Sequence, residues 1–103
     1  MSPVTYPITP EKARDIFDAI ALYGIVSVDV ENAASILDDM LESDNEKLRY
    51  ARRILDNGKI DKAVLVLRGD EGVFIIKMEN VVEIRVTVRN YSRLIEEFAL
   101  SQG

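Results

Sequence analysis

From Val82 to Arg89 the chain changes character at every residue. Val82, Ile84, Val86 and Val88 are apolar, while Glu83, Arg85, Thr87 and Arg89 are polar or charged. Side chains on a strand point alternately to opposite faces, so this spacing sets Arg85 and Arg89 on one side of a strand. The stretch before it does the same: Phe74, Ile76 and Met78 share one side, and Val73, Ile75, Lys77 and Glu79 share the other. A surface that mixes cations with flat apolar area suits single-stranded nucleic acid, because cations neutralise phosphates and apolar side chains meet unstacked bases. Lys77, Arg85 and Arg89 are the centre of that candidate surface. Arg68 and Tyr91 fall near strand ends and join it. Arg52 and Arg53, with Tyr50 and Lys59, extend a phosphate track if the end of their helix adjoins the sheet. A rival reading uses the same residues. Arg85 and Arg89 then pair with Glu83 and Glu79 as ordinary cross-strand charges, and a second copy of the chain covers the apolar part of the face.

Other chemistry is thinly represented. The chain has no cysteine and no histidine, which excludes disulfides, thiolate metal sites and thiol catalysis and removes the commonest general base. No phosphate-binding Walker loop, dinucleotide glycine motif or nucleophile elbow is present. Asp38, Asp39 and Glu42 are the densest carboxylate cluster. They lack the glycine and spacing of a calcium loop and read as a solvated helix face. The expectation is a protein that is not an enzyme and uses no metal or cofactor.

The elements that position these residues follow from local patterns. Val4, Tyr6 and Ile8 alternate but are interrupted by Pro3 and Pro7, so residues 1–9 read as an arm or edge strand. Thr9, Pro10 and Glu11 open a helix whose inward face is Ala13, Ile16, Phe17 and Ile20, and Gly24 stops it. Ile25 to Val28 reads as an apolar link. A second helix, capped by Asp29 or Ser27, is expected to bury Val30, Ala33, Ala34, Leu37 and Leu41. Ser43 and Glu46 match a capping box that starts a third helix with Leu48, Ala51 and Leu55 inward. The period then changes to that of strands over Ala63–Leu67, Val73–Met78 and Val81–Arg89. Their short links imply an antiparallel meander. A short closing helix follows, capped by Asn90 or Ser92. The expected fold is one α+β domain over residues 1–103: three N-terminal helices, then a three- to four-stranded antiparallel sheet, then a short C-terminal helix.

The 103 residues suit a single domain, and 48% apolar residues suffice for a core. The net charge of −5 is unevenly spread. Residues 1–46 carry two basic and ten acidic side chains, whereas residues 47–93 carry eleven basic and six acidic ones. No apolar run approaches a membrane span and no basic, apolar leader opens the chain, so a cytoplasmic location is expected. Absence of cysteine and abundance of charge suit a heat-adapted source.

Helices first, an antiparallel sheet second and a short closing helix, with stretches such as Val64-Leu65-Val66-Leu67-Arg68 and Ile84-Arg85-Val86-Thr87-Val88-Arg89, resemble the ThermoDBP-related family of archaeal single-stranded-DNA-binding proteins. That resemblance implies binding of single-stranded nucleic acid, DNA ahead of RNA, and assembly into a homodimer or tetramer. It carries over no individual functional residue. Net acidity departs from what strong phosphate binding favours. The alternative is a protein–protein interaction or oligomerisation module with no nucleic-acid binding.

Overall fold

The computed structural model describes residues 3–31, 40–79 and 82–100. Among them, in chain order, run β1 (Val4–Ile8), α1 (Pro10–Tyr23), β2 (Ser27–Glu31), α2 (Asp44–Asn57), β3 (Ile60–Arg68), β4 (Glu71–Met78), β5 (Glu83–Arg89) and α3 (Ser92–Glu97). The five strands form one antiparallel sheet in the order β1-β3-β4-β5-β2.

The α+β class stands, but the expected order of elements does not. Ser27–Glu31 is a strand where a link and the start of a second helix were expected, so three helices do not come first. The reason lies in a period-2 pattern. Val28 and Val30 are buried, while Asp29 and Glu31 are exposed and Ser27 is half-buried. β-branched residues in that alternation fit a half-covered sheet, and β5 offers them an edge to pair with, Val28 opposite Val86 and Val30 opposite Ile84. Of the other residues expected in that helix, Leu41 is half-buried in the link before α2, and Ala33, Ala34 and Leu37 lie outside the described residues, as do Asp38 and Asp39. The sheet has five strands rather than three or four, because β1 and β2 flank the meander on its two sides.

The hairpin of β3 and β4 forms as its turn residues require. Gly69 sits at φ +66°, in the left-handed region, and lets β3 reverse into β4 over Gly69-Asp70. In β3 the apolar run is sorted by burial: Ala63, Leu65 and Leu67 point inward, Val64 and Val66 outward.

The core lies between the inner sheet face and the helices. Leu65, Phe74, Ile76, Ile84 and Val86 are fully buried from the sheet side. Ala13, Ile16, Phe17 and Ile20 of α1, and Ala51 and Leu55 of α2, meet them from the other. Each large apolar side chain removed from water contributes about 1.5–3 kcal/mol before entropy is counted.

Two polar devices hold the helices in place. Ser43 caps α2 by accepting from the Glu46 N–H at 3.2 Å, but Glu46 returns to the N–H of Glu42 at 3.1 Å rather than to Ser43. At the other end of α2, the Arg14 guanidinium of α1 donates to the Leu55 carbonyl at 2.7 and 3.0 Å and to the Gly58 carbonyl at 3.2 Å. These carbonyls belong to the end of a helix where partners are missing and the dipole favours a cation. Arg14 thus ties α1 to α2 from within the helical layer.

Candidate binding face

The outer face of the sheet is set by strand register. Thr5, Val66, Val73, Thr87 and Ser27 form one row across the five strands. Pro7, Val64, Ile75, Arg85 and Asp29 form the next. Val64, Val66, Val73 and Ile75 therefore make a contiguous apolar patch at the middle of the face, each half-buried by its strand neighbours. Their alternate partners in the same strands are the buried residues of the core, so the patch is the surface opposite the helices.

Charged rows close the patch at both ends. At one end Arg68, Glu71 and Arg89 stand side by side. None of the three forms an ion pair among the described residues. At the other end lie Lys62, Lys77, Glu83 and Glu31. There Glu83 is the hub: Arg85 donates to it at 2.8 Å and the Lys77 ammonium lies 4.0 Å away. Glu83 is mostly covered, with 20% of its side chain accessible, while Lys77 and Arg85 are about half or more exposed. The face thus carries cations and carboxylates in nearly equal number, and the single strand pair Asp29–Arg85 repeats the alternation on the β2 side.

Of the residues singled out from the sequence, Arg68, Lys77, Arg85 and Arg89 share this face. Tyr91 does not present its ring there as a stacking platform. It is half-buried beside the end of the sheet, and its hydroxyl donates to the Gly69 carbonyl of the β3–β4 turn. Arg52 and Arg53 belong to α2, in the helical layer, and are not brought to the sheet face. Arg52 instead joins the two helices, 3.1 Å from Asp18 of α1 and 2.8 Å from Asp56 of its own helix. Arg53 is exposed, and Tyr50 packs at the edge of the core. The sequence reading missed Asp29 and Glu31, the carboxylates that balance the basic residues of β5. The alternation Ser27-Val28-Asp29-Val30-Glu31 points to them, but it is too short to decide between a strand and a helix start.

A second, smaller feature lies at the corner of α1 and α3. Tyr23 donates to the Glu97 carboxylate and stacks under the Arg93 guanidinium, 5.3 Å from the ring centre. The hydrogen bond to Glu97, with desolvation and the Glu97 charge, pushes the Tyr23 phenol above its usual value, and Arg93 opposes the shift. Asp15, Asp18, Leu22 and Phe98 complete a shallow, acidic groove there. Among the described residues, no group of carboxylates converges as a metal ion would require, and no helix is long and apolar enough to cross a membrane.

No family model, curated protein or solved structure matches the chain.

Proposed function

We propose that the chain is a non-catalytic interaction module that associates with itself through the outer face of its sheet. The observation that carries this reading is the patch of Val64, Val66, Val73 and Ile75, covered by no helix among the described residues and closed at both ends by charges of both signs. An apolar centre with a polar rim is how protein interfaces are built. Nucleic acid asks for something else: a dominant positive potential and aromatic or planar groups for bases. On this face the carboxylates of Asp29, Glu31, Glu71 and Glu83 offset most of the cations, and no aromatic side chain joins the patch.

Light scattering coupled to gel filtration, from about 10 μM to about 1 mM protein, tests the reading. A mass that rises toward the dimer with concentration, and falls to the monomer in Ile75→Lys, is the expected result. A monomer at every concentration removes it.

Single-stranded nucleic-acid binding is the second reading, and the row Arg68–Glu71–Arg89 favours it, since two exposed arginines flank one carboxylate there. Fluorescence anisotropy with labelled poly-dT and poly-U at low and moderate salt tests it. Binding that weakens with salt and with Arg68→Ala and Arg89→Ala would promote it over the first.

A further inference from the structure

The structure favours one arrangement of two copies over the other simple one. Resting on the self-association proposed above, we infer that the partner on the outer sheet face is a second copy related by a two-fold axis that runs across the strands, between the rows of Val73 and Ile75. Two sheets stack face to face with their strands roughly aligned, which leaves two simple two-fold axes in the interface plane: one along the strands and one across them. The strand register tells what each axis brings together.

An axis along the strands would place each row on its own copy. Set on β4, it brings Glu71 onto Glu71, Lys77 onto Lys77, Arg68 onto Arg89 and Val64 onto Arg85. Set between β3 and β4, it covers the patch, Val66 on Val73 and Val64 on Ile75, and brings Arg68 onto Glu71, but it sets Lys62 on Lys77 and leaves Arg89 and Glu83 opposite β1, which carries no charged residue. Like charges, or charges left without a counterpart, oppose both placements.

An axis across the strands exchanges the rows. Val66 then packs on Val64 and Val73 on Ile75, so the apolar patch covers itself. The charged rows meet each other from opposite ends. Glu71 falls opposite Lys77, and Arg89 falls opposite Glu83. Each pair occurs twice. One contact is unfavourable, Arg68 against Lys62, and both of those residues are exposed on β3, where water screens them. The arrangement also explains why Glu71 and Arg89 stand without an ion pair among the described residues: their partners lie on the other copy.

The area suits such a dimer. Five strands about 4.8 Å apart and seven residues long at about 3.3 Å each give roughly 550 Å² of projected face per copy. Two copies then bury a little over about 1,000 Å², the lower bound for a specific interface. The association is therefore concentration-dependent rather than permanent.

Charge reversal tests the axis. Arg89 forms no ion pair among the described residues, so Arg89→Glu reports on the contact between copies. With the axis across the strands, Arg89→Glu faces Glu83 and weakens the dimer about fivefold or more, and adding Glu83→Arg restores it. With the axis along β4, Arg89→Glu faces Arg68 and tightens the dimer; with the axis between β3 and β4 it faces the uncharged β1 and leaves the dimer unchanged. Sedimentation equilibrium on the wild type, the single and the double variant reads the difference, with circular dichroism confirming that each is folded. Lys77→Glu and Lys77→Glu/Glu71→Lys form an independent second pair with the same expected loss and recovery. A wild type that dimerises while Arg89→Glu tightens it or leaves it unchanged, or while neither double variant recovers, overturns the axis and leaves self-association standing. A wild type that stays monomeric overturns both.

Discussion

The two faces of the sheet are made from the same strands and differ in what lies over them. On the inner face Leu65, Phe74, Ile76, Ile84 and Val86 are sealed under α1 and α2. On the outer face Val64, Val66, Val73 and Ile75 are half-exposed and bounded by charges. Period-2 alternation therefore separates two tasks within single strands. Covered side chains hold the fold, while the half-exposed side is the one the proposed self-association would use. Hydrophobicity alone does not distinguish the faces; the charged rows at the ends of the patch do.

The largest expected effect comes from breaking the inner face. Phe74→Ala should cost about 3–5 kcal/mol of stability through lost burial and a cavity, whereas its outward neighbour Val73→Ala should cost less than about 1 kcal/mol. Urea unfolding of dilute protein measures both, and equal losses would mean that the two faces are equally covered. Arg14→Met comes next. It leaves the carbonyls of Leu55 and Gly58 without their cation and should cost about 1–2 kcal/mol, read in the same way.

Tyr6 sharpens the contrast from the opposite direction. It points inward from β1 and is 5% exposed, and its hydroxyl has no hydrogen-bond partner among the described residues. A buried, unsatisfied hydroxyl is a cost, so Tyr6→Phe should raise stability by about 1 kcal/mol and shift the thermal midpoint upward. On the outer face, Ile75→Lys should change monomer stability by no more than about 0.5 kcal/mol while removing the association. A variant that unfolds would show the outer face to be part of the core.

The smallest effect lies away from both faces. Because Tyr23 is raised above the ordinary phenol value of 10.0 by Glu97, its proton is held more tightly in the folded chain. The stability this contributes is present below pH 10 and is lost as pH rises through the raised value. Spectrophotometric titration should show a late-titrating phenol contribution that Tyr23→Phe removes, with no change in association.

Much of this was written locally. The inward stripe Ala13–Ile16–Phe17–Ile20, the cap at Ser43 and the alternation in β4 and β5 needed only neighbours a few residues apart, and the structure carries each of them. The outer-face cluster of Lys77, Arg85 and Arg89 followed from the same alternation. Two things were not local. Ser27–Glu31 is too short to declare itself, since five residues with two valines suit a helix start nearly as well as a strand, and only the open edge of β5 decides. The placement of Arg52 and Arg53 depends on which side of the sheet α2 packs. Periodicity along one helix states which of its faces is buried, but not against what.

The edges of the sheet bear on how large any assembly grows. β1 carries Pro7, which removes a backbone donor from one border, and on β2 the Val28 N–H meets the Asp44 carboxylate at 3.3 Å. A border with donors missing or occupied is a poor template for another strand. Growth by strand addition, which has no natural end and leads to fibres, is thereby discouraged on both sides. Under the proposed self-association, contact through the outer face would saturate after one partner and close the assembly at a pair.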